Sequence, residues 1–441
     1  MTASFTQSFV FLLVGIAVVI LLTARYRVHA FFALLIACFI VGVGVQLPFA
    51  SILTAIKEGF GRIMQSLGFI IVLGTTLGVL LEHSGSTRVM ANYILKQTGE
   101  RKASWAMSIA GFIVGLPVFC DSGYIVMSGL NQSLAKRTGI SVVTMAISLA
   151  TGLYSVHCLI PPHPGATAAA AALSVDLGKL ILIGTAMAIP GMIIGHVWSH
   201  YAGKKLPHVA ATGEHIDHGP APLVIKAFLP VIVPIVLITI NSLFVIEKNN
   251  DSFLQKIFSV LGEPIIALAV GVILAFANFH KLTKPHVSKL LQESAEKAGG
   301  ILVIIGAGGA FGAVLAAARI GEQFSDAIDL HAMGIFFPFL LTFILKTAQG
   351  SSTVAIITAS SIVLPLLPAL GLDSERGRLL SVLSMGAGSM MISHANDAYF
   401  WVISKFSGLE MKAMLRTYSV ATVLMGTATI MIVYILSLLL L

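Results

Sequence analysis

Five ionisable side chains stand inside or at the ends of long apolar runs: Asp121, His163, Lys346, His394 and Asp397. A charge in such a setting is costly unless it is paired or used, so these residues are candidates for a substrate path or a proton relay. Each falls in a stretch that an α-helix does not cross unbroken. The four stretches are 117–123 (PVFCDSG), 159–167 (LIPPHPGAT), 346–353 (KTAQGSST) and 393–397 (SHAND). Proline lacks a backbone donor, and glycine admits positive φ. Non-helical backbone at membrane depth is tolerated only where it is buried in protein or lines a watery cavity. A broken helix exposes N–H groups that favour an anion. Ser122, Gln349, Ser351, Ser352, Thr353 and Asn396 add hydroxyls and amides suited to a polyol, while Gly123, Gly165 and Gly350 lie among them.

The elements that hold these breaks are membrane helices. Of 441 residues, 57% are hydrophobic and 10% are charged, and the mean hydropathy is +0.95. A soluble domain carries roughly 25% charged residues, so a water-soluble enzyme is excluded. The net charge of +8 has no basic cluster behind it, which excludes nucleic acid as a partner. Cys38, Cys120 and Cys158 form no disulfide framework. Phe9–Leu22 lacks a basic leader and a small-residue cleavage site, so it reads as a retained helix.

The chain divides in two. Residues 1–200 form a first repeat, with a hairpin at 104–136 and a broken helix at 140–175. Residues 201–222, rich in His, Pro and Gly, form a cytoplasmic linker. Residues 223–441 form the second repeat, with a hairpin at 331–370 and a broken helix at 378–406. FIIVLGTTLGVLL from Phe69 recurs in character as ILVIIGAGGAFGAVL from Ile301, and FCDSGYIVMSGL from Phe119 as AQGSSTVAIITAS from Ala348. PPHPGATAAAAAL from Pro161 aligns with ISHANDAYFWVI from Ile392, His163 over His394. With the N-terminus outside, eighteen Lys and Arg fall in inside loops and eight outside, as the positive-inside rule requires. The fold expected is an all-α polytopic membrane protein of two inverted repeats, about ten crossings plus two re-entrant hairpins, which is transporter architecture.

Other signals are weaker. GAGGAFG at 306–312 has the wrong spacing for a dinucleotide fingerprint and fits small-residue helix packing. His196, His200, His208, His215 and His218 read as a solvated linker; no metal site or cofactor is expected. The segment 50–65 fits either an interfacial helix or part of a long third crossing. His157 suits packing and function equally.

At its four breaks the sequence resembles the gluconate permease family of proton-coupled sugar-acid symporters, within the ion-transporter superfamily. The resemblance is carried by FCDSG, PPHPG (161–165), AQGS-TVA (348–355) and SH-ND (393–397) followed by Phe400 and Trp401. Cys120, Ala166 and Tyr399 depart from the family's common pattern. The resemblance implies a bacterial inner-membrane homodimer that takes up gluconate or a related small carboxylate with protons, by elevator-type alternating access. The family also includes carriers of D-serine and other hydroxy or keto acids. On this reading Lys346 and the hairpin N–H groups neutralise the substrate carboxylate. Ser122, Gln349, Ser351, Ser352, Thr353 and Asn396 bind its hydroxyls. Asp121 or Asp397 carries the proton, since desolvation favours a neutral carboxyl; His163 and His394 are rival carriers. Sodium is the alternative coupling ion. A membrane-embedded enzyme is the reading from another class, and GxSxG and HExxH are both missing from the sequence.

Overall fold

In lipid a backbone must satisfy its own hydrogen bonds, which long apolar runs do by forming helices. The computed structural model describes residues 4–99, 102–204, 222–246, 253–279, 282–319 and 330–440, and shows helices with no strand among them. The first repeat comprises α1 (Phe5–Ile20), α2 (Ala30–Gly44), α3 (Phe49–His83), α4 (Ser86–Thr98), α5 (Ala103–Gly115), α6 (Cys120–Thr138), α7 (Val142–Leu159), α8 (Pro164–Ala172) and α9 (Leu177–Gly203). The second comprises α10 (Val224–Ile246), α11 (Phe253–Leu261), α12 (Pro264–Phe276), α13 (Lys284–Ala317), α14 (Phe336–Gln349), α15 (Ser352–Val363), α16 (Glu375–Met390) and α17 (Ala398–Ser407). A π-helical turn at Leu415–Ser419 leads into the last helix, α18 (Val420–Leu440).

Seven helical stretches among the described residues are long and apolar enough to span a bilayer. They are α1, α3, α7 with α8, α9, α10, α13, and Met411–Leu440 ending in α18. The shorter apolar α2 and α12, and the broken α16–α17, bring the crossings to ten. The pairs α5–α6 and α14–α15 are the two hairpins. Segment 50–65 is settled: it lies inside α3, one helix of 35 residues, about 52 Å long against a hydrocarbon core of about 30 Å. Most of the linker expected at 201–222 lies outside the described residues, although α9 runs on through Gly203.

The repeats meet along α3 and α13, which run antiparallel. Near one end Gly59 faces Ala310 and Ala313, and at the other His83 and Glu82 face Glu293 and Lys297. Equivalent helices in opposite directions are what inverted repeats require. The GAGGAFG stretch serves this packing. A Cβ on Gly306 or Gly309 would run into Phe60 or Ile63 of α3, while Gly308 and Gly312 adjoin Ile357 and Ser361 of α15. Ser361 also donates to the Gly308 carbonyl at 2.6 Å. Small residues thus bring three backbones together where lipid offers no hydrophobic drive.

His196 and His200 are not solvated linker residues. They lie in α9, where His196 is buried beneath Trp105, its Nδ1 2.9 Å from Ser108 Oγ, and His200 Nε2 is 2.9 Å from Ser104 Oγ. They tie α9 to the first arm of the first hairpin. The three cysteines are buried thiols.

Candidate functional site

Both hairpin tips and both broken crossings converge on one cavity of about 470 Å³, within the range of small-molecule sites. Pro117 ends the first arm of hairpin one, and α6 restarts at Cys120 with no side chain capping its first turn. In hairpin two, Gly350 ends α14 in a left-handed conformation (φ 83°). Any Cβ there would also strike the Asn396 carbonyl, so the position requires glycine. Ser351 then caps α15, its Oγ accepting from Val354 N at 3.3 Å. The first broken crossing turns through 160–163, with a cis Pro161-Pro162 peptide, and Pro164 opens α8. The second turns through 391–397, and Asp397 caps α17 by accepting from Tyr399 N at 3.0 Å. Residues that open all four restarted helices, Cys120–Ser122, Pro164, Ser352–Val354 and Ala398, line the cavity.

Each broken crossing is braced against its own hairpin by a histidine. His163 Nε2 donates to the Gly115 carbonyl at 2.6 Å, and His394 Nε2 to the Thr347 carbonyl at 3.0 Å. Neither imidazole lines the cavity. Asn396 does, although its Nδ2 donates to Thr347 O at 2.8 Å and Ala348 O at 3.2 Å. Lys346 does not reach the cavity, contrary to its expected contact with a substrate carboxylate. It is fully buried, and its Nζ lies 2.7 Å from Asp397 Oδ2 and 2.6 Å from the Gly350 carbonyl. Ser393 Oγ donates to the same carboxylate oxygen. The reason is geometric: Lys346 belongs to the last turn of α14, whose carbonyls lack helix partners and attract a cation.

Asp121 is differently placed. It sits in the first turn of α6 on the cavity wall, and among the described residues its hydrogen-bond partner is the Cys120 thiol, at 3.5 Å. Ser122, Gln349, Gly350, Ser351, Ser352, Thr353, Asn396 and Asp397 line the same wall. Gly123 and Gly165 do not, because they serve close packing. A Cβ would fall 2.7 Å from Leu153 in the first case, and 3.0 Å from Ile356 in the second. Gln349 is the most telling residue, since both polar atoms of its amide are buried without a hydrogen-bond partner among the described residues. Such groups in a folded protein call for an explanation, and a bound polar molecule supplies one.

Three contributors escaped the sequence. Tyr154 and Tyr399 line the cavity. Tyr154 donates to Ser389 O at 3.0 Å and Tyr399 to Ala150 O at 3.2 Å, each reaching into the other repeat. Tyr124 and Tyr418 pack on Tyr399, 6.1 and 5.7 Å between ring centroids. Lys297 of α13 also lines the cavity, paired with Glu293 at 2.8 Å. Counted in sequence as a loop charge, it lies well within a 34-residue helix. His157 lines the cavity too, 4.8 Å from the His163 ring, with Nδ1 unpartnered among the described residues.

Ten crossings and two hairpins around a polar cavity define the class: a multi-pass membrane transport protein. The model of the GntP family permeases matches residues 7–439, and the chain belongs to that family. A gluconate permease of Pseudomonas aeruginosa is 31% identical over 97% of this chain and 97% of its own length. The D-serine transporter DsdX of Escherichia coli is 29% identical over 93% and 94%. Among solved structures, the YdaH transporter of Alcanivorax borkumensis has the same fold at 15% identity, with a TM-score of 0.66 over 87% of each chain. The relatives are permeases, not enzymes, and the chain is a multi-pass protein of the bacterial inner membrane.

Proposed function

We propose that this permease takes up gluconate or a closely related small sugar acid together with protons. The observation that carries the reading is the cavity itself: Asp121, a carboxylate with no ion-pair partner among the described residues, shares its lining with the Gln349 amide, unpartnered among the same residues, and the hydroxyls of Ser122, Ser351, Ser352 and Thr353. Hydroxyls and amides suit a polyol, and the first turns of α6 and α15 suit its carboxylate. Lys297 adds positive charge on the α13 wall. Asp121 takes up the proton that accompanies the substrate. Lys346 acts behind the wall, holding Asp397 and so fixing hairpin two to the second broken crossing.

The two repeats contribute a mobile unit, formed by the hairpins and broken crossings, and a static scaffold centred on α3 and α13, in a homodimer. Alternating access then follows from the mobile unit sliding against the glycine-lined scaffold. Uptake of labelled gluconate into proteoliposomes under an imposed inward proton gradient tests the coupling. Accumulation should collapse with an uncoupler and persist without sodium. Accumulation indifferent to the uncoupler would end the proton reading, and a strict sodium requirement would replace it.

D-Serine is the second substrate to test, because the D-serine transporter matches nearly as well as the gluconate permease. An α-ammonium would pair with Asp121 and thereby compete with the proton. Competition between D-serine and labelled gluconate distinguishes the two.

A further inference from the structure

The Lys346 ammonium lies in a cage of oxygens. Gly350 O is 2.6 Å from Nζ and Asp397 Oδ2 is 2.7 Å away, while Ser393 Oγ is bonded to that same oxygen. Lys346 is 0% exposed and Asp397 6%. The cage carries one formal negative charge and sits at the carboxyl end of α14, the negative pole of a helix. Carboxylate, carbonyl and hydroxyl oxygens are the ligands that hard cations prefer.

We propose that this cage is a monovalent-cation site in which the lysine side chain is the resident cation, and that shortening the side chain opens the site to a free alkali or ammonium ion. Cutting Lys346 back to alanine removes the ammonium and three methylene groups, leaving room for an ion and water among the same oxygens. Asp397 would otherwise be a buried, uncompensated charge, which is strongly unfavourable. The first repeat has no such site: in register, Pro117 stands where Lys346 does and Ala166 where Asp397 does. The site holds the protein's own cation rather than its cargo and stands apart from the proposed substrate and coupling. It also gives a reason for one break to need no dissolved sodium.

The test reads stability, not transport. Purified Lys346→Ala is titrated with NaCl, KCl or NH₄Cl against choline chloride at constant ionic strength. At least one small cation should raise its apparent melting temperature by about 3 °C between 1 and 300 mM. Wild type and Lys346→Ala/Asp397→Asn should stay within about 1 °C. A flat response in Lys346→Ala, or an equal response to choline, overturns the proposal. If the alanine variant cannot be purified, Lys346→Ser is solubilised from membranes in each salt and its monodisperse fraction measured. Recovery in an alkali or ammonium salt but not in choline supports the site; equal recovery in choline, or none in any salt, overturns it.

Discussion

The two broken crossings are alike in build and unlike in charge. Each is braced to its own hairpin by a histidine, His163 on Gly115 and His394 on Thr347. Among the described residues only the second adds an ion pair, which joins Lys346, buried behind the cavity wall, to Asp397 on it. The first has no such pair; its hairpin instead places Asp121 on the wall, with a thiol as its hydrogen-bond partner among the described residues. Repetition has kept the geometry and divided the electrostatics: the second half carries an ion pair at its broken crossing, the first a carboxylate at its hairpin tip with no such counter-charge among the described residues. The second half is thus proposed to be tied internally by its ion pair, and Asp121 of the first is the group proposed to titrate.

The most severe way to break this contrast is Asp121→Asn. Proton-driven accumulation should be abolished, while exchange of labelled for unlabelled substrate across the membrane continues. Normal gradient-driven accumulation by this variant would refute the division of roles. Next in size is the ion pair. Lys346→Met should cost about 3–5 kcal/mol by stranding a buried carboxylate, and adding Asp397→Asn should return most of that loss. Thermal unfolding of the two variants measures it, and additive losses would mean that the pair does not act as a unit.

Substrate recognition comes third. Gln349→Ala should raise KM roughly tenfold with kcat little changed, the amide hydrogen bonds being worth about 1.4 kcal/mol. Fourth are the braces. His163→Gln and His394→Gln should each cost about 1 kcal/mol of stability, one hydrogen bond, and leave the pH profile of uptake where it is. A shifted profile in either would move the proton from Asp121 to a histidine. Smallest is Lys297→Gln, which should raise KM about two- to threefold at low salt and less at high salt.

The contrast also marks what the sequence makes legible. Breaks are visible because Pro, Gly and charged residues stand out against apolar runs, and alignment of the halves sets His163 over His394. The partner of Lys346 is not visible, since 51 positions separate it from Asp397 and only the meeting of hairpin two with the second break joins them. Tyr154 and Tyr399 look like ordinary core aromatics, because a cavity floor and a packed core call for the same residue types. Lys297 was misplaced for a simpler reason: a charge near an apolar boundary reads as a loop until the helix is seen to run through it. Gly123 and Gly165 show the converse error, since a glycine beside a site can serve packing alone.

The crossed tyrosines have a genetic consequence. Because Tyr154 is anchored in the second repeat and Tyr399 in the first, neither half owns a complete floor. A chain severed between the repeats and supplied as two genes should regain uptake only when both pieces are made together. A compensating change for a defect in Tyr154 is therefore to be sought near Ser389, in the opposite half of the gene.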